Sequence, residues 1–219
     1  MHARTSQSHP LQIDTLGPVG RGRLGLTFCP GKFDPHAQTG AWDRDLDTDL
    51  RTLRDWGAST VVTLMETHEL ELLRVPDLGE RVSRIRLRWW HLPIVDAGVT
   101  DALFEHAWNR AGEDLRRRLA AGEGIVVHCR GGLGGLRIVA ARLLVKFGEV
   151  PETAMFRVCR ARVGTIENRA ADTHPRRAEH RGRTHDQENR LPTVGGPASA
   201  ARRRLHTRHA GIPEKRLDF

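Results

Sequence analysis

The sequence predicts an α/β fold with a mainly parallel central sheet flanked by helices. Two observations lead to this prediction. First, apolar runs suited to buried strands alternate along the chain with segments of helical periodicity, which is the order that produces parallel sheets. Second, the chain has 219 residues, which is enough for one domain with a substantial core and short for two.

The first three predicted elements are a strand, a helix and a second strand. The strand RLGLTF (residues 23–28) is ended by a Pro-Gly pair. The helix within residues 42–57 ends at Gly57, because glycine is common just past a helix C-terminus. The run STVVTLM (residues 59–65) is typical of a buried strand. One stripe of the helix is formed by Leu46, Leu50, Leu53 and Trp56.

A short helix, a third strand and a long helix are predicted next. The short helix opens at Thr67 and stops before Pro76. The strand RIRLRWWHLPI (residues 84–94) begins with alternating polar and apolar residues. The long helix covers residues 100–121, where apolar residues recur at spacings of four: Leu103, Ala107, Ala111, Leu115 and Leu119.

The last predicted elements are a central strand and two helices. The strand is GIVVH (residues 124–128), and good helix formers follow at residues 136–147. The last helix, residues 151–164, opens with proline at its first position. At the other end of the chain, the polar residues 1–20 are expected to form a flexible N-terminal arm.

The positive charge of the chain is concentrated at its C-terminal end. The net charge is +8, and residues 171–219 carry eleven Lys and Arg against six Asp and Glu. Only about 12% of these residues are Leu, Ile, Val, Phe or Met, which is too few to build a core. We therefore expect one folded domain at residues 21–170 and a disordered basic tail at residues 171–219.

The composition also limits the location and the cysteine chemistry. No stretch approaches the ~18 consecutive apolar residues of a membrane span, and the N-terminus lacks a signal pattern, so a cytoplasmic location is expected. Three cysteines are too few and too scattered for a disulfide framework or a zinc site. Cys29, before a Pro-Gly turn, and Cys159, on a predicted helix, are expected to be structural, and the third cysteine is Cys129.

The segment after the central strand combines this cysteine with a glycine-rich turn. Cys129 is expected just beyond the strand, at the sheet edge where parallel α/β folds bind ligands. Because glycine has no Cβ, successive backbone N–H groups in the turn are able to converge on one anion, and the next helix adds its dipole. The expected phosphate cradle consists of Arg130, Gly131, Gly132, Leu133, Gly134 and Gly135.

Such a cradle also activates the cysteine. A helix N-terminus lowers the pKa of a nearby thiol and so favours the thiolate at neutral pH. Nucleophile and anion site then coincide, which suits attack on a phosphate ester through a phosphocysteine intermediate. Two alternatives remain at this point: a tight strand-to-helix connection without chemistry, and a sulfurtransferase of the rhodanese type.

Several segments resemble the cysteine-dependent protein phosphatases. VHCRGGLG followed by IVAARLL (residues 127–134 and 138–144) is similar to their signature, in which His and Cys are followed by five residues, an arginine, and a serine or threonine. Within that family the chain resembles the dual-specificity branch around cyclin-dependent kinase inhibitor 3, the kinase-associated phosphatase, and its bacterial relatives. LGLTFCPGK, WHLPIVD and GTIEN extend the resemblance from about residue 23 to residue 168.

The resemblance implies a protein-tyrosine-phosphatase-like fold and a set of catalytic residues. Cys129 would be the nucleophile, and Asp96 matches the general acid, which protonates the leaving oxygen and then activates water. Asp101 is the alternative acid, although it stands where an N-cap of the following helix is expected. His128 is expected to orient the cysteine turn by hydrogen bonding.

The signature is degenerate after the loop. The arginine expected six residues after Cys129 is Gly135, the next hydroxyl residue is Leu136, and the glycine after it is Arg137. The missing guanidinium would hold two phosphate oxygens, and the loss of a comparable donor costs about 10²–10³ in rate. Arg137 is a candidate substitute only if the loop rearranges, because a two-residue offset turns it ~200° around a helix. Arg130 corresponds to a position that points outward in the family.

A second departure lies downstream. Ala171 stands where the family places a glutamine that positions the hydrolytic water, and the resemblance stops there. Two departures in an otherwise similar chain suggest a decayed gene or a shifted reading frame.

Two functions remain open. One is a phosphatase acting on a phosphorylated protein or another phosphomonoester, with impaired activity, and the other is a non-catalytic, phosphate-binding pseudophosphatase. No metal or organic cofactor is implied, because cysteine and backbone amides perform the chemistry. The basic tail is expected to contact polyanions nonspecifically. Specific nucleic-acid binding is not expected, because Phe219 is the tail's only aromatic residue.

Overall fold

A five-stranded sheet forms the centre of the described part of the chain. The computed structural model describes residues 3–37, 40–95, 100–132 and 134–161. The strands of the sheet lie in the order β1-β2-β7-β5-β6, and a separate two-stranded sheet pairs β3 with β4. The strands are β1 (Asp14–Val19), β2 (Gly22–Phe28), β3 (Phe33–Asp34), β4 (Trp42–Asp43), β5 (Ala58–Thr63), β6 (Arg88–His91) and β7 (Gly124–Cys129).

The sheet is mainly parallel, as the sequence predicts. β2, β7, β5 and β6 run parallel to one another, and β1 alone is antiparallel. The register pairs Phe28 with Cys129, and Thr63 with His128 and with His91. The carboxyl ends of the four parallel strands therefore meet at one edge of the sheet, where this type of fold binds ligands.

Within the described residues, six helices cover the two faces of the sheet. Apolar residues of α1, α2 and α3 pack in one core cluster, and those of α4, α5 and α6 pack in the other. Val126 belongs to the first cluster and Val127 to the second, because successive strand side chains point to opposite faces. The helices are α1 (Leu46–Asp55), α2 (Thr67–Leu72), α3 (Leu78–Arg84), α4 (Ala102–Ala120), α5 (Gly134–Val145) and α6 (Pro151–Ala161).

Strand β1 corrects the expectation of a flexible arm at residues 1–20. Leu16 and Val19 are buried within the α4–α6 cluster, so this segment contributes to the core. Its antiparallel pairing also covers the edge of β2, which would otherwise carry unpaired backbone groups. Gly17 and Pro18 interrupt the alternation of the segment, which is why the sequence pattern did not indicate a strand.

Helix α3 corrects the predicted strand at residues 84–94. The observed strand β6 begins only at Arg88, and a helix precedes it. Leu78 and Val82 have the helical spacing of four and are fully buried. The connection turns at Arg86, whose φ of 64° places it in the left-handed region. The short pair β3 and β4 was also not predicted.

The helix ends follow ordinary capping chemistry. Asp45 caps α1 by accepting a hydrogen bond from the Thr48 N–H at 2.7 Å. Gly57, just past the end of α1, has φ of 92°, as its predicted position requires. Pro151 opens α6.

No helix within the described ranges is both long enough and apolar enough to cross a membrane.

Candidate active site

Cys129 lies at the carboxyl end of the central strand. It is the last residue of β7 rather than the first beyond it, and its side chain is partly exposed. The N–H of Gly132 donates a hydrogen bond to its Sγ at 3.1 Å. Gly132 has φ of 83°, in the left-handed region where glycine is favoured, and this conformation turns its N–H back toward the sulfur. A donor aimed at sulfur stabilises the thiolate relative to the thiol.

The glycines after the turn belong to the helix that follows. α5 begins at Gly134, two residues earlier than the sequence predicts, so Gly134 and Gly135 form its first turn. The first N–H groups of a helix have no partner within the helix, and the positive end of its dipole lies there. Cys129 and the start of α5 therefore face the same small region.

A cavity of about 400 Å³ occupies that region. Its volume is in the range of small-ligand sites. The loop side of the cavity consists of Cys129, Arg130, Gly131, Gly134 and Gly135. An apolar side is formed by residues after β5 and β6: Leu64, Met65, Ile94 and Val95.

Two carboxylates at the start of α2 also line the cavity. Glu66 and Glu69 form a reciprocal capping box, in which each side chain accepts a hydrogen bond from the other residue's N–H. His68, exposed between them, has its Nδ1 3.9 Å from the Glu66 carboxylate. None of these three residues is predicted from the sequence as part of the site, although their position just after β5 places them at the ligand-binding edge.

His128 is fully buried beneath the loop. Its Nε2 lies 2.8 Å from the Thr63 hydroxyl, and the indole N–H of Trp89 donates to the same hydroxyl oxygen at 2.9 Å. Burial lowers the pKa of the His128 imidazole to about 3, with a further contribution from His91. The ring is therefore neutral at physiological pH. Its contact with Thr63 fixes the position of the backbone just before Cys129.

The space beside Gly135 is taken by Ile94. A Cβ at position 135 would lie 2.6 Å from the Cδ1 atom of Ile94, and real Cβ contacts are longer than this. The backbone of Ile94 is fixed by a hydrogen bond from its N–H to the Leu64 carbonyl, at 3.1 Å. The position where the family signature carries its arginine is thus enclosed by an apolar side chain.

The two candidate substitute arginines differ in position. Arg137, on α5, does not line the cavity, and its Nε is buried without a hydrogen-bond partner among the described residues. Arg130 does line the cavity, and its Nη2 lies 3.5 Å from an Asp34 carboxylate oxygen.

The remaining candidates from the sequence fall in three groups. Asp96 and Leu133 lie outside the described residues, as does the tail at 171–219. Asp101 caps α4 by accepting a hydrogen bond from the Phe104 N–H at 2.7 Å, which is the role expected of an N-cap. Cys29 is fully buried, and burial raises the pKa of its thiol well above the usual range. Cys159 lies on α6 and is partly exposed.

Comparison with known proteins identifies the class of fold first. The structure of kinase-associated phosphatase, with its catalytic-site cysteine replaced by serine, matches 69% of this chain and 83% of that one. The TM-score is 0.59 and the sequence identity 24%, so the likeness concerns the fold. The fold is that of the protein tyrosine and dual-specificity phosphatases, which confirms the prediction from the sequence.

Sequence comparison then identifies the family. The family model of cyclin-dependent kinase inhibitor 3 (CDKN3) matches residues 20–154. Cyclin-dependent kinase inhibitor 3 of Rattus norvegicus is 32% identical over 141 residues, and that of Homo sapiens is 30% identical over 135 residues. The matches cover 62% and 60% of this chain, and 62% and 59% of those proteins, which is less than two thirds of their length. The chain belongs to the cyclin-dependent kinase inhibitor 3 family.

Proposed function

We propose that this chain binds phosphomonoesters at the Cys129 loop and hydrolyses them slowly through a phosphocysteine intermediate. The observation that carries the proposal is the hydrogen bond from the Gly132 N–H to the Cys129 sulfur, at the floor of a cavity formed by the start of α5. A phosphate group seated there would meet a nucleophile and backbone donors together. The family and fold support the same class of reaction.

The reaction has two steps. The Cys129 thiolate attacks phosphorus, the S–P bond forms, and the bond to the leaving oxygen breaks while that oxygen takes a proton from a general acid. Water then attacks phosphorus and gives a proton to the carboxylate left by the acid, the S–P bond breaks, and inorganic phosphate and the thiolate are released. The acid proposed from the family resemblance is Asp96. His128, neutral and buried, would position the loop without exchanging protons.

Slow turnover follows from the absence of a guanidinium at position 135. The transition state carries more charge on its equatorial oxygens than backbone N–H groups alone stabilise, so the rate should fall by about 10²–10³.

By the relationship to kinase-associated phosphatase, we propose a phosphorylated protein as the substrate. The tail at 171–219, with its net positive charge, would add nonspecific contact with polyanions.

A second candidate function is phosphate binding without turnover. The observation that favours it is the contact between Ile94 and the space at position 135, because a side chain there would first have to displace the Ile94 side chain. Anion binding by backbone N–H groups and the helix dipole does not need that side chain.

One assay separates the two functions. The full chain is tested for hydrolysis of p-nitrophenyl phosphate, with Cys129→Ser as the control for thiol-dependent turnover, and for binding of inorganic phosphate by calorimetry. Hydrolysis that disappears in Cys129→Ser supports the phosphatase. Phosphate binding without thiol-dependent hydrolysis supports the binding module, and the absence of both overturns the assignment of the loop.

A further inference from the structure

Arg130 is the source of positive charge at the cavity. Among the lining residues in the described ranges, it is the only one with a permanently cationic side chain. Its side chain is 49% exposed, and its Nη2 lies 3.5 Å from Asp34, which is longer than the ~2.7–2.9 Å of a strong charge-assisted hydrogen bond. The Asp34 side chain is only 14% exposed, but the contact is long and the guanidinium is half-exposed, so Arg130 exchanges partners at low cost.

Three other cations, Arg44, Lys32 and Arg137, do not line the cavity. Arg44 forms a buried two-point ion pair with Asp49, at 2.8 Å for each contact. The ammonium of Lys32 is buried 5.0 Å from the ring centre of Phe28 and does not line the cavity. Arg137 does not line it either.

The charge around the cavity makes such a cation necessary for an anionic ligand. Glu66 and Glu69 both line the cavity, and their carboxylates repel a dianionic phosphate. Backbone N–H groups supply only partial charges to oppose this repulsion. Without Arg130 the side chains of the cavity would have a negative balance.

We infer that Arg130 supplies the phosphate-binding charge that position 135 lacks, and that the Asp34 carboxylate pairs with its guanidinium while no phosphate is bound. When phosphate enters, Arg130 exchanges the Asp34 carboxylate for phosphate oxygens. Asp34 therefore competes with the ligand, and its charge lowers the affinity for phosphate. The inference rests on the proposed function, because it assigns a side chain of the same phosphate site.

Inorganic phosphate is the probe for this inference. Its binding to the full chain is measured by calorimetry at constant ionic strength, and by protection of Cys129 from iodoacetamide, read from the mass of the peptide that contains it. Arg130→Gln is expected to weaken phosphate binding by about tenfold to a hundredfold, the usual range for a lost hydrogen bond to a charged group. The charge-matched control is Arg116→Gln, which removes a cation paired with Glu113 on α4 and should leave binding unchanged.

A double-mutant cycle tests the role of Asp34. Asp34→Asn alone should strengthen phosphate binding several-fold, because it releases Arg130. The same change in the Arg130→Gln background should have almost no effect, since Asp34 acts through the guanidinium. A purely structural role for Asp34 would instead weaken binding, or change it equally in both backgrounds.

The outcomes distinguish a failure of the inference from a failure of the proposed function on which it rests. If phosphate protects Cys129 equally in the natural chain and in Arg130→Gln, Arg130 is not the binding cation, although the phosphate site stands. If Arg137→Gln causes the loss instead, the cation has been assigned wrongly. If phosphate neither binds nor protects the natural chain, the proposed function and the inference both fail. Arg130→Lys, which keeps the charge, should retain part of the affinity and so exclude a folding defect.

Discussion

Ile94 stands against position 135, with its Cδ1 atom 2.6 Å from where a Cβ on Gly135 would lie. Ile94 follows β6 and Gly135 belongs to the first turn of α5, so the contact joins two sides of the cavity. Any side chain at position 135 must first displace the isoleucine. The Ile94 side chain in its present position is therefore compatible only with glycine at position 135.

Restoring the family arginine is expected to require two substitutions. Gly135→Arg alone should give little gain in hydrolysis of p-nitrophenyl phosphate, because Ile94 obstructs the new side chain. Gly135→Arg combined with Ile94→Ala should raise kcat/KM by about 10²–10³, the value of one transition-state donor. The measurement is steady-state kinetics of both variants and of the natural chain.

Ile94→Ala alone is the control for that experiment, and it should not accelerate hydrolysis. A full gain from Gly135→Arg alone would show that Ile94 moves aside without cost. No gain from the double variant, with its fold intact by circular dichroism, would show that the loop does not hold phosphate as proposed.

The turn at Gly132 is expected to control the reactivity of Cys129. Gly132→Ala places a Cβ on a backbone with φ of 83°, which costs roughly 1–2 kcal/mol and favours a different conformation of the turn. The N–H would then leave the Cys129 sulfur, and alkylation by iodoacetamide at neutral pH should slow by about tenfold. The rate is measured from the mass of the Cys129 peptide.

Gly148→Ala provides a matched control for the backbone penalty. Gly148 has φ of 90°, and no atom of the described residues lies within 4 Å of the place that its Cβ would take. The substitution therefore introduces the same conformational strain outside the loop. Cys129 in this variant should be alkylated at the rate of the natural chain. Equal slowing in both variants would mean that strain alone, and not the hydrogen bond to sulfur, explains the effect.

The parallel sheet and its ligand-binding edge were predictable because they follow from local patterns. The apolar run GIVVH became β7, and the stripe of Leu46, Leu50 and Leu53 is buried on α1. The turn after Cys129 was predictable for a similar reason, since glycines allow the backbone conformation that Gly132 adopts.

The remaining features of the site depend on contacts between distant parts of the chain. Neither the contact of Ile94 with position 135 nor the pairing of Asp34 with Arg130 has a local signal, because each joins residues that are far apart in the sequence. The strand β1 was missed because its pairing with β2, and not its own alternation, stabilises it. The expected general acid, Asp96, remains a prediction.

Stability is expected to fall with pH below about 6.5 because of His128. The pKa of His128 is about 3 in the folded chain and 6.5 when exposed. Between these pH values the unfolded state binds a proton that the folded state does not bind. The contribution is fully present above pH 6.5 and is lost as the pH falls toward 3, by about 1.4 kcal/mol per pH unit. Urea unfolding between pH 5 and 7 measures the slope, since ordinary carboxylates titrate at lower pH.

His128→Gln should reduce that slope, because glutamine does not titrate. His106→Gln is the matched control, since His106 is exposed on α4 and its loss should leave the slope unchanged. A slope that is the same in His128→Gln and in the natural chain would show that another group causes the pH dependence.

The buried ion pair of Asp49 and Arg44 is expected to be essential for folding. Both side chains are fully buried, and the Asp49 carboxylate also accepts a hydrogen bond from the Gly31 N–H at 2.8 Å. Asp49→Ala should lower the free energy of unfolding by about 3–5 kcal/mol, because it leaves the Arg44 charge buried without its partner. Asp47→Ala, which removes an exposed carboxylate paired with Arg81, should cost less than about 1 kcal/mol in the same urea titration. Similar losses in the two variants would indicate that water reaches Arg44, and that the pair at the start of α1 is not isolated from solvent.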